Sequence, residues 1–96
     1  MNTEQISGLA AILKSISHPF RLQILCLLQD KEMTVGEISK AIKTTDANIS
    51  QHLSILRQQG IIGTRKQANF IYNRIIDDRF TRLIETMQGL FCNNKE

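Results

Sequence analysis

The chain contains 96 residues, of which 42% are hydrophobic and 22% charged, and twelve Lys and Arg against nine Asp and Glu give a net charge of +3. This composition indicates one small globular domain. We do not expect the chain to be a membrane protein, because no apolar run is long enough to cross a bilayer. Two cysteines and the lack of a secretory leader predict a protein of the reducing cytoplasm. Because so short a chain buries a modest fraction of its surface, a homodimer is expected.

The first third of the chain has the pattern of two helices. Residues 4–15 carry apolar side chains three and four positions apart, which predicts an amphipathic helix: Ile6, Leu9, Ala10 and Leu13. In residues 17–30 (SHPFRLQILCLLQD), Ser17 is the expected N-cap and Pro19 lies in the first turn. Apolar residues then occur on nearly every side, so this second helix is expected at the centre of the fold.

Two short helices joined by a brief turn follow. Thr34 with Glu37 three residues later has the capping-box spacing, and Thr45 is the expected cap of the next helix, which ends near Gly60. The second of these helices has an apolar row formed by Ile49, Leu53 and Leu56. Residues 34–59 therefore predict a helix-turn-helix.

The rest of the chain changes from strand spacing to helical spacing. Residues 61–76 place β-branched and aromatic residues on both sides of the polar tip RKQAN, which predicts a two-stranded hairpin, or wing. Residues 78–92 follow the acidic pair Asp77 and Asp78 and carry a helical row of apolar side chains: Phe80, Leu83, Ile84, Met87, Leu90 and Phe91. The predicted fold class is mainly α with a small β-hairpin, a single winged helix-turn-helix over residues 1–96 with five helices and a wing. Its apolar rows predict a homodimer through helices 4–15 and 78–92.

A helix-turn-helix beside a basic hairpin suits the reading of double-stranded DNA. The second helix of the motif presents small, uncharged, hydrogen-bonding side chains, where a purely structural surface helix would usually show Glu and Lys. The candidate DNA-binding residues on it are Thr45, Ala47, Asn48, Ser50, Gln51, His52 and Ser54. His52 adjoins the apolar row, so packing and base reading are both open for it. In the wing, the candidates for phosphate and groove contacts are Arg65, Lys66, Gln67 and Asn69.

Three stretches together resemble the ArsR family of small, dimeric, winged-helix bacterial repressors. They are SHPFRLQIL, MTVGEIS and NISQHLSILRQQGIIGTRKQANFIY, and the resemblance covers nearly the whole chain. It implies dimerisation through the first and last helices and release of the operator when an inducer binds. Metal-sensing members carry Cys-Val-Cys in the third helix, but Thr34 and Gly36 occupy the ligand positions here, and residues 77–96 contain no histidine. We therefore expect no metal site and no cofactor.

The two cysteines, Cys26 and Cys92, match a branch of this family, the HlyU, BigR and SqrR type, which has ILC in the second helix and an aromatic-Cys pair at the end of the last. The resemblance implies a dithiol that senses reactive sulfur species or oxidants. A bridge between the two thiols would shift the dimerisation helix. Gly89 and the polar tail NNKE would leave the last turn of that helix free to move. No Lys, Arg or His flanks Cys26 to activate its thiolate.

Two alternatives stay open beside the thiol-switched repressor. The first is a DNA-binding regulator of the same fold with inert cysteines, acting constitutively or as an anti-repressor, in which Cys26 packs as a small hydrophobe. The second is a metal sensor, which the missing ligands disfavour. An enzyme is not expected, because the sequence contains no glycine-rich loop, nucleophile motif or acid-base pair that points to catalysis.

Overall fold

The fold was analysed in a computed structural model that describes residues 1–92, so the tail at 93–96, which we expected to loosen the last turn, lies outside the described residues. Five helices and one hairpin follow each other in the predicted order. They are α1 (Thr3–Ile16), α2 (Pro19–Leu27), α3 (Val35–Ile42), α4 (Asp46–Gln58), β1 (Ile62–Gln67), β2 (Phe70–Ile75) and α5 (Asp78–Phe91). The predicted fold class of five helices and a wing is confirmed.

The start of α2 differs from the sequence prediction. The Nδ1 of His18 accepts a hydrogen bond from the backbone N–H of Phe20 at 3.1 Å, so His18 is the N-cap. Ser17, predicted for that role, instead ends α1, where its N–H donates to the Lys14 carbonyl. The prediction was wrong because α1 extends up to Ile16 and leaves Ser17 no place in the next helix. Pro19 occupies the first turn as expected.

The helix-turn-helix is organised by its local caps. Thr34 and Glu37 form the predicted capping box at α3, and the Thr45 side chain accepts from the N–H of Asn48 at the start of α4. Between the helices, Lys43 adopts a left-handed backbone with φ of 69°, which turns the chain sharply. After α4, Gly60 leaves the helix with φ of 75°, a conformation that glycine adopts without steric cost.

The wing is an antiparallel pair that runs from Ile62 opposite Ile75 to Gln67 opposite Phe70. Its turn contains two residues, Ala68 and Asn69, with Ala68 at φ of 56°. The predicted five-residue tip was therefore too wide, because the strand pairing continues to its end and includes residues 65–67. Backbone hydrogen bonds in both directions between Met33 and Asn73 connect β2 to the segment before α3.

The core lies between α2, α4 and the base of the wing. Its most buried residues are Ile24, Leu25, Ile38, Ile49, Leu53, Leu56, Ile61, Ile62 and Ile84. The predicted apolar row of α4 is thus confirmed as core, as is the central position of α2. In α5, Phe80 and Ile84 are also buried within the single chain. The expectation that they belong to a free dimerisation face was therefore wrong. They pack inward because α5 lies against α2 and β2.

Apolar side chains stay exposed on α1 and at the end of α5. On α1 these are Ile6, Leu9 and Leu13, and on α5 Leu90 and Phe91 are 70% and 82% exposed. Leu9 and Ile12 meet Phe80 and Leu83 around a cavity of about 230 Å³, so the two helices adjoin. Among residues 1–92, no helix combines the length and the apolar character that crossing a membrane requires.

Candidate nucleic-acid interface and thiol pair

The exposed face of α4 carries part of the predicted base-reading set. Ala47, Ser50 and Gln51 are exposed, while Asn48 and Ser54 are half-buried beside them. This face lies opposite the core row, because residues three and four apart share one side of a helix. Its exposed part presents the Ser50 hydroxyl and the Gln51 amide, which is the chemistry that pairs with base edges in the major groove, and the exposed Arg57 follows toward the end of the helix.

The first turn of α4 is held by side-chain hydrogen bonds. Thr45 caps the helix, and the Asn48 side-chain amide donates to the Thr44 hydroxyl at 3.1 Å. The Asp46 carboxylate accepts from the Ser39 hydroxyl of α3. Asp46 thus joins the two helices of the motif and stabilises the amino terminus of α4, which explains a carboxylate at the end of the helix proposed to face phosphate.

His52 lies on the core side of α4 and is only 9% exposed. Its ring centroid is 4.4 Å from that of His18 and 5.6 Å from that of Phe20, and its Nδ1 is 3.2 Å from a guanidinium nitrogen of Arg21. Burial lowers the pKa of His52 below its ordinary value, and the nearby charges of His18 and Arg21 lower it further. The structure supports packing for His52 and removes it from the face that can meet bases.

The cations of the wing differ in their surroundings. Arg65 forms an ion pair with Glu32 at 2.6 Å and lies over the Tyr72 ring at 5.0 Å from its centroid. The hydrogen bond from Arg65 lowers the pKa of Glu32 and raises the pKa of Arg65. Lys66, Gln67 and Asn69 are exposed, and Lys66 forms no ion pair within residues 1–92. Lys66 is therefore the wing cation most available to a phosphate.

The wing and the second helix of the motif form one continuous surface. Both elements line one cavity of about 310 Å³. Its lining includes Ser50 and Arg57 of α4 together with Thr64 and Ile71 of the strands. Asn73, buried beneath it, donates from its side-chain amide to the Met33 carbonyl at 3.1 Å. The base of the wing is thus anchored to the body of the domain, and its exposed strand residues stand beside the exposed face of α4.

The two thiols lie in the same part of the molecule. Cys26 projects from α2 and Cys92 ends α5, and both are free and exposed. The Gln88 side-chain amide donates to the Cys26 sulfur at 3.6 Å, and the backbone N–H of Cys92 donates to the Gln88 carbonyl. Gln88 therefore contacts the Cys26 sulfur from a position one helical turn before Cys92. Because Cys26 is exposed in the single chain, the expectation that it packs as a small core residue finds no support.

Cys26 is in an environment that disfavours its thiolate. Burial raises the pKa of Cys26 above its ordinary value, the Gln88 hydrogen bond lowers it in part, and the nearby Cys92 raises it further. Its surroundings are apolar, since Cys26 lines a cavity of about 450 Å³ with Leu22, Leu27, Ala41 and Ile42. Within residues 1–92, the groups that shift the pKa of this thiol are Gln88 and Cys92, and neither is a cation.

Sequence reasoning missed three residues at these sites. Gln88 and Glu32 carry no local motif, and their partners, Cys26 and Arg65, are 62 and 33 residues distant along the chain. Arg21 belongs to the SHPFRLQIL stretch, which was used to predict the second helix and to recognise the family, but no role was assigned to this residue. Within residues 1–92, no cluster of three or more His, Cys, Asp and Glu side chains has an arrangement that could hold a metal ion.

Comparisons with known proteins agree with this geometry. Residues 18–64 match the family model described as bacterial regulatory protein, arsR family. The biofilm growth-associated repressor of Agrobacterium fabrum is 38% identical over 93 residues, which span 97% of this chain and 80% of the relative. The transcriptional activator HlyU of Vibrio cholerae is 37% identical over 81 residues, 84% of this chain and 75% of the relative.

Solved structures of relatives have the same fold. Reduced HlyU from Vibrio cholerae superposes with a TM-score of 0.87 at 34% identity, covering 93% of this chain and 94% of that one. The repressor BigR from Xylella fastidiosa superposes with a TM-score of 0.83 at 31% identity, covering 97% of this chain and 92% of that one. A homodimeric winged helix-turn-helix DNA-binding domain from Mycobacterium bovis gives 0.81 at 28% identity, covering 91% and 81%. These relatives are regulators rather than enzymes, as expected for this chain. The chain belongs to the bacterial ArsR family of regulatory proteins and is a transcriptional regulator of the HlyU and BigR type.

Proposed function

We propose that this regulator is a homodimer that binds an operator duplex through α4 and the wing, and that a Cys26/Cys92 dithiol controls its operator affinity. Ser50 and Gln51 would read base edges, with Ala47, Asn48 and Ser54 beside them, while Lys66 and its neighbours would hold phosphates. The polar side chains of Ser50 and Gln51 on the exposed face of α4 and the cations of the adjoining wing support this division of roles.

The dimer part of the proposal is supported by the exposed apolar residues of α1 and α5. Leu13 on α1 and Leu90 and Phe91 on α5 lie in water in the single chain, and covering them removes apolar surface from water at about 25 cal/mol per Å². The relative from Mycobacterium bovis is described as homodimeric. A two-fold dimer would present two α4 helices to half-sites about one DNA turn apart.

The observation that carries the thiol part is the contact of Gln88, one helical turn before Cys92, with the Cys26 sulfur, which brings the end of α5 next to Cys26. The Gln88 amide contacts the Cys26 sulfur, and the Gln88 carbonyl accepts from the backbone N–H of Cys92. One relative has a structure described as its reduced form. A disulfide requires the two Cα atoms to lie within about 7 Å, and we expect its formation to displace the Gln88 amide that contacts the Cys26 sulfur.

The chemistry of bridge formation balances with a low-molecular-weight persulfide, RS–SH, as the inducer. One cysteine thiolate attacks the outer sulfur and becomes a cysteine persulfide, and the thiol RSH leaves. The second thiolate then attacks the cysteine sulfur of that persulfide, which forms the disulfide and releases sulfide. The two cysteines lose two electrons and two protons in total, and the transferred sulfur is reduced to sulfide. With a second equivalent of RS–SH, both cysteines become persulfides, and attack of one persulfide anion on the cysteine sulfur of the other forms a trisulfide bridge and releases sulfide.

Bridging would change DNA binding through the dimer. It would connect α2 in the core to α5, and a shift of α5 would alter the spacing of the two α4 helices in the dimer. Regulation of this kind corresponds to a coupling free energy of about 1–3 kcal/mol, or roughly 5-fold to 150-fold in affinity. The bridged protein is expected to bind the operator more weakly.

The test uses a DNA duplex that the reduced protein selects from a random-sequence pool, here named the selected duplex, and a scrambled duplex of equal length and composition. Treatment with glutathione persulfide should weaken binding to the selected duplex, and mass spectrometry should find an intramolecular bridge. Cys26→Ser and Cys92→Ser should each bind the untreated duplex normally and ignore the persulfide. A normal response in either variant would reject the switch and leave the alternative of inert cysteines.

A further inference from the structure

Arg21 connects three helices through a single guanidinium group. From α2, its Nε donates to the Ser15 carbonyl at the end of α1 at 2.6 Å, and another nitrogen lies 3.2 Å from the Nδ1 of His52 in α4. Neither the base-reading face nor the thiol pair includes these residues. The contact joins the carboxyl end of the first helix to the core side of the helix that carries Ser50 and Gln51.

The hydrogen bond from Arg21 defines the protonation state of His52. An arginine guanidinium only donates, so the Nδ1 of His52 must accept, and the neutral ring carries its proton on Nε2. The Nδ1 of His18 likewise accepts from the Phe20 N–H at 3.1 Å. The His18 and His52 rings are in contact, with their centroids 4.4 Å apart. A proton added to the Nδ1 of His52 removes the hydrogen bond that this atom accepts.

We propose that Arg21 and His52 are positioning residues that hold α4 in its DNA-binding orientation, and that protonation of His52 releases α4 and weakens specific binding. The inference rests on the proposed role of α4 in operator recognition but does not involve the cysteines. It assigns a role to the Arg21 and His52 positions that neither packing nor base reading alone explains.

Protonation of His52 would replace its hydrogen bond with Arg21 by a repulsion between two positive charges. A protonated His52 would direct an N–H toward the Arg21 donor and place two positive charges about 3 Å apart in a largely buried site. The ionisable groups whose charges act on His52, among residues 1–92, are His18 and Arg21, both on α2. Burial and these charges hold the pKa of His52 below its ordinary value, so the ring is neutral near pH 7.

The direction of the effect separates this proposal from simple charge attraction to DNA. A new positive charge strengthens sequence-independent binding to phosphates, whereas displacement of α4 weakens binding to the selected duplex. Acidification should therefore lower the ratio of specific to non-specific affinity. A structural role without proton sensitivity would leave that ratio independent of pH.

The experiment measures the affinity of the reduced protein for the selected and scrambled duplexes from about pH 8 to about pH 5 at constant ionic strength. As the pH falls, the affinity of wild type for the selected duplex should decrease about fivefold, which is the scale of one hydrogen bond. Its affinity for the scrambled duplex should not decrease. His52→Asn offers an amide oxygen near the Nδ1 position and has no proton to gain, so its specific affinity should be independent of pH.

His18→Asn is the matched control, since Asn is a favoured N-cap and keeps the acceptor at the start of α2. Loss of the His18 charge and of its ring should shift the midpoint of the affinity change to higher pH. In wild type, the midpoint from an NMR titration of His52 should equal the midpoint of the affinity change. Unequal midpoints, or the same pH dependence in His52→Asn, would overturn the proposal. A protein that selects no duplex at pH 8 would instead reject the proposed function.

Discussion

The guanidinium of Arg65 in the wing lies 2.6 Å from a carboxylate oxygen of Glu32, in the segment before α3. Arg74 of the opposite strand approaches the other oxygen of Glu32 at 3.9 Å. One carboxylate thus faces two cations of the surface proposed to meet DNA. A phosphate that binds Arg65 must compete with Glu32 for it, so Glu32 is expected to limit the affinity for DNA of any sequence.

Replacement of Glu32 by Gln should therefore strengthen DNA binding. Without the carboxylate, Arg65 is available to a phosphate, so affinity for the scrambled duplex should rise and the salt dependence should steepen by about one unit in the log-log slope. The measurement is a salt titration of binding by fluorescence anisotropy. Glu4→Gln, an equal charge change at an exposed position of α1, should have a smaller effect and leave the slope unchanged. Equal slopes in both variants would contradict a competing role for Glu32.

Gln51 and Lys66 should respond differently to removal of their side chains. Gln51→Ala should cost about 1–3 kcal/mol on the selected duplex and relax the preference at one base pair, because Gln51 lies on the face proposed to read bases. Lys66→Ala should weaken selected and scrambled duplexes alike and reduce the salt slope by about one unit. Competition binding against single-base variants of the duplex measures both effects. Equal losses on the two duplexes for Gln51→Ala would contradict base reading.

The exposed apolar residues of α1 should determine the oligomeric state. Leu13→Glu places a charge in the row that the proposed dimer covers, so it should convert the dimer to a monomer at micromolar concentration. Ala11→Glu introduces the same charge at an exposed position of α1 outside that row and should remain dimeric. Analytical ultracentrifugation distinguishes the two species. A monomeric wild-type protein, or a dimeric Leu13→Glu, would count against this interface.

The reactivity of Cys26 should depend on pH in a defined direction. Because burial raises the pKa of Cys26, the thiol is almost entirely protonated at neutral pH, and the rate of alkylation by iodoacetamide should rise roughly tenfold per pH unit from about pH 7 to about pH 8. Cys92→Ser isolates this thiol for mass spectrometry. Adding Gln88→Ala removes the hydrogen bond that lowers the pKa, so alkylation should slow further. A rate that levels off near pH 7 would contradict the raised pKa.

Features decided within one or two helical turns were predictable from the sequence. The Thr34 and Glu37 capping box, the Thr45 cap and the exit at Gly60 all occur as predicted, because each depends on groups only a few residues apart. The row of Ile49, Leu53 and Leu56 also follows from helical spacing alone. Family membership was recognisable for a similar reason, since its motifs lie in these short stretches.

Only the tertiary structure decided whether a residue at the edge of an apolar helical row is buried, and which residues that are distant along the chain are in contact. Helical spacing places His52 beside the core row but does not say that His18, Phe20 and Arg21 cover it. It also does not separate the buried Phe80 and Ile84 of α5 from the exposed Leu90 and Phe91. The pairs Glu32 with Arg65 and Gln88 with Cys26 join residues on different elements. Such contacts depend on how the helices and the wing pack, and a local pattern contains no information about the packing of remote elements.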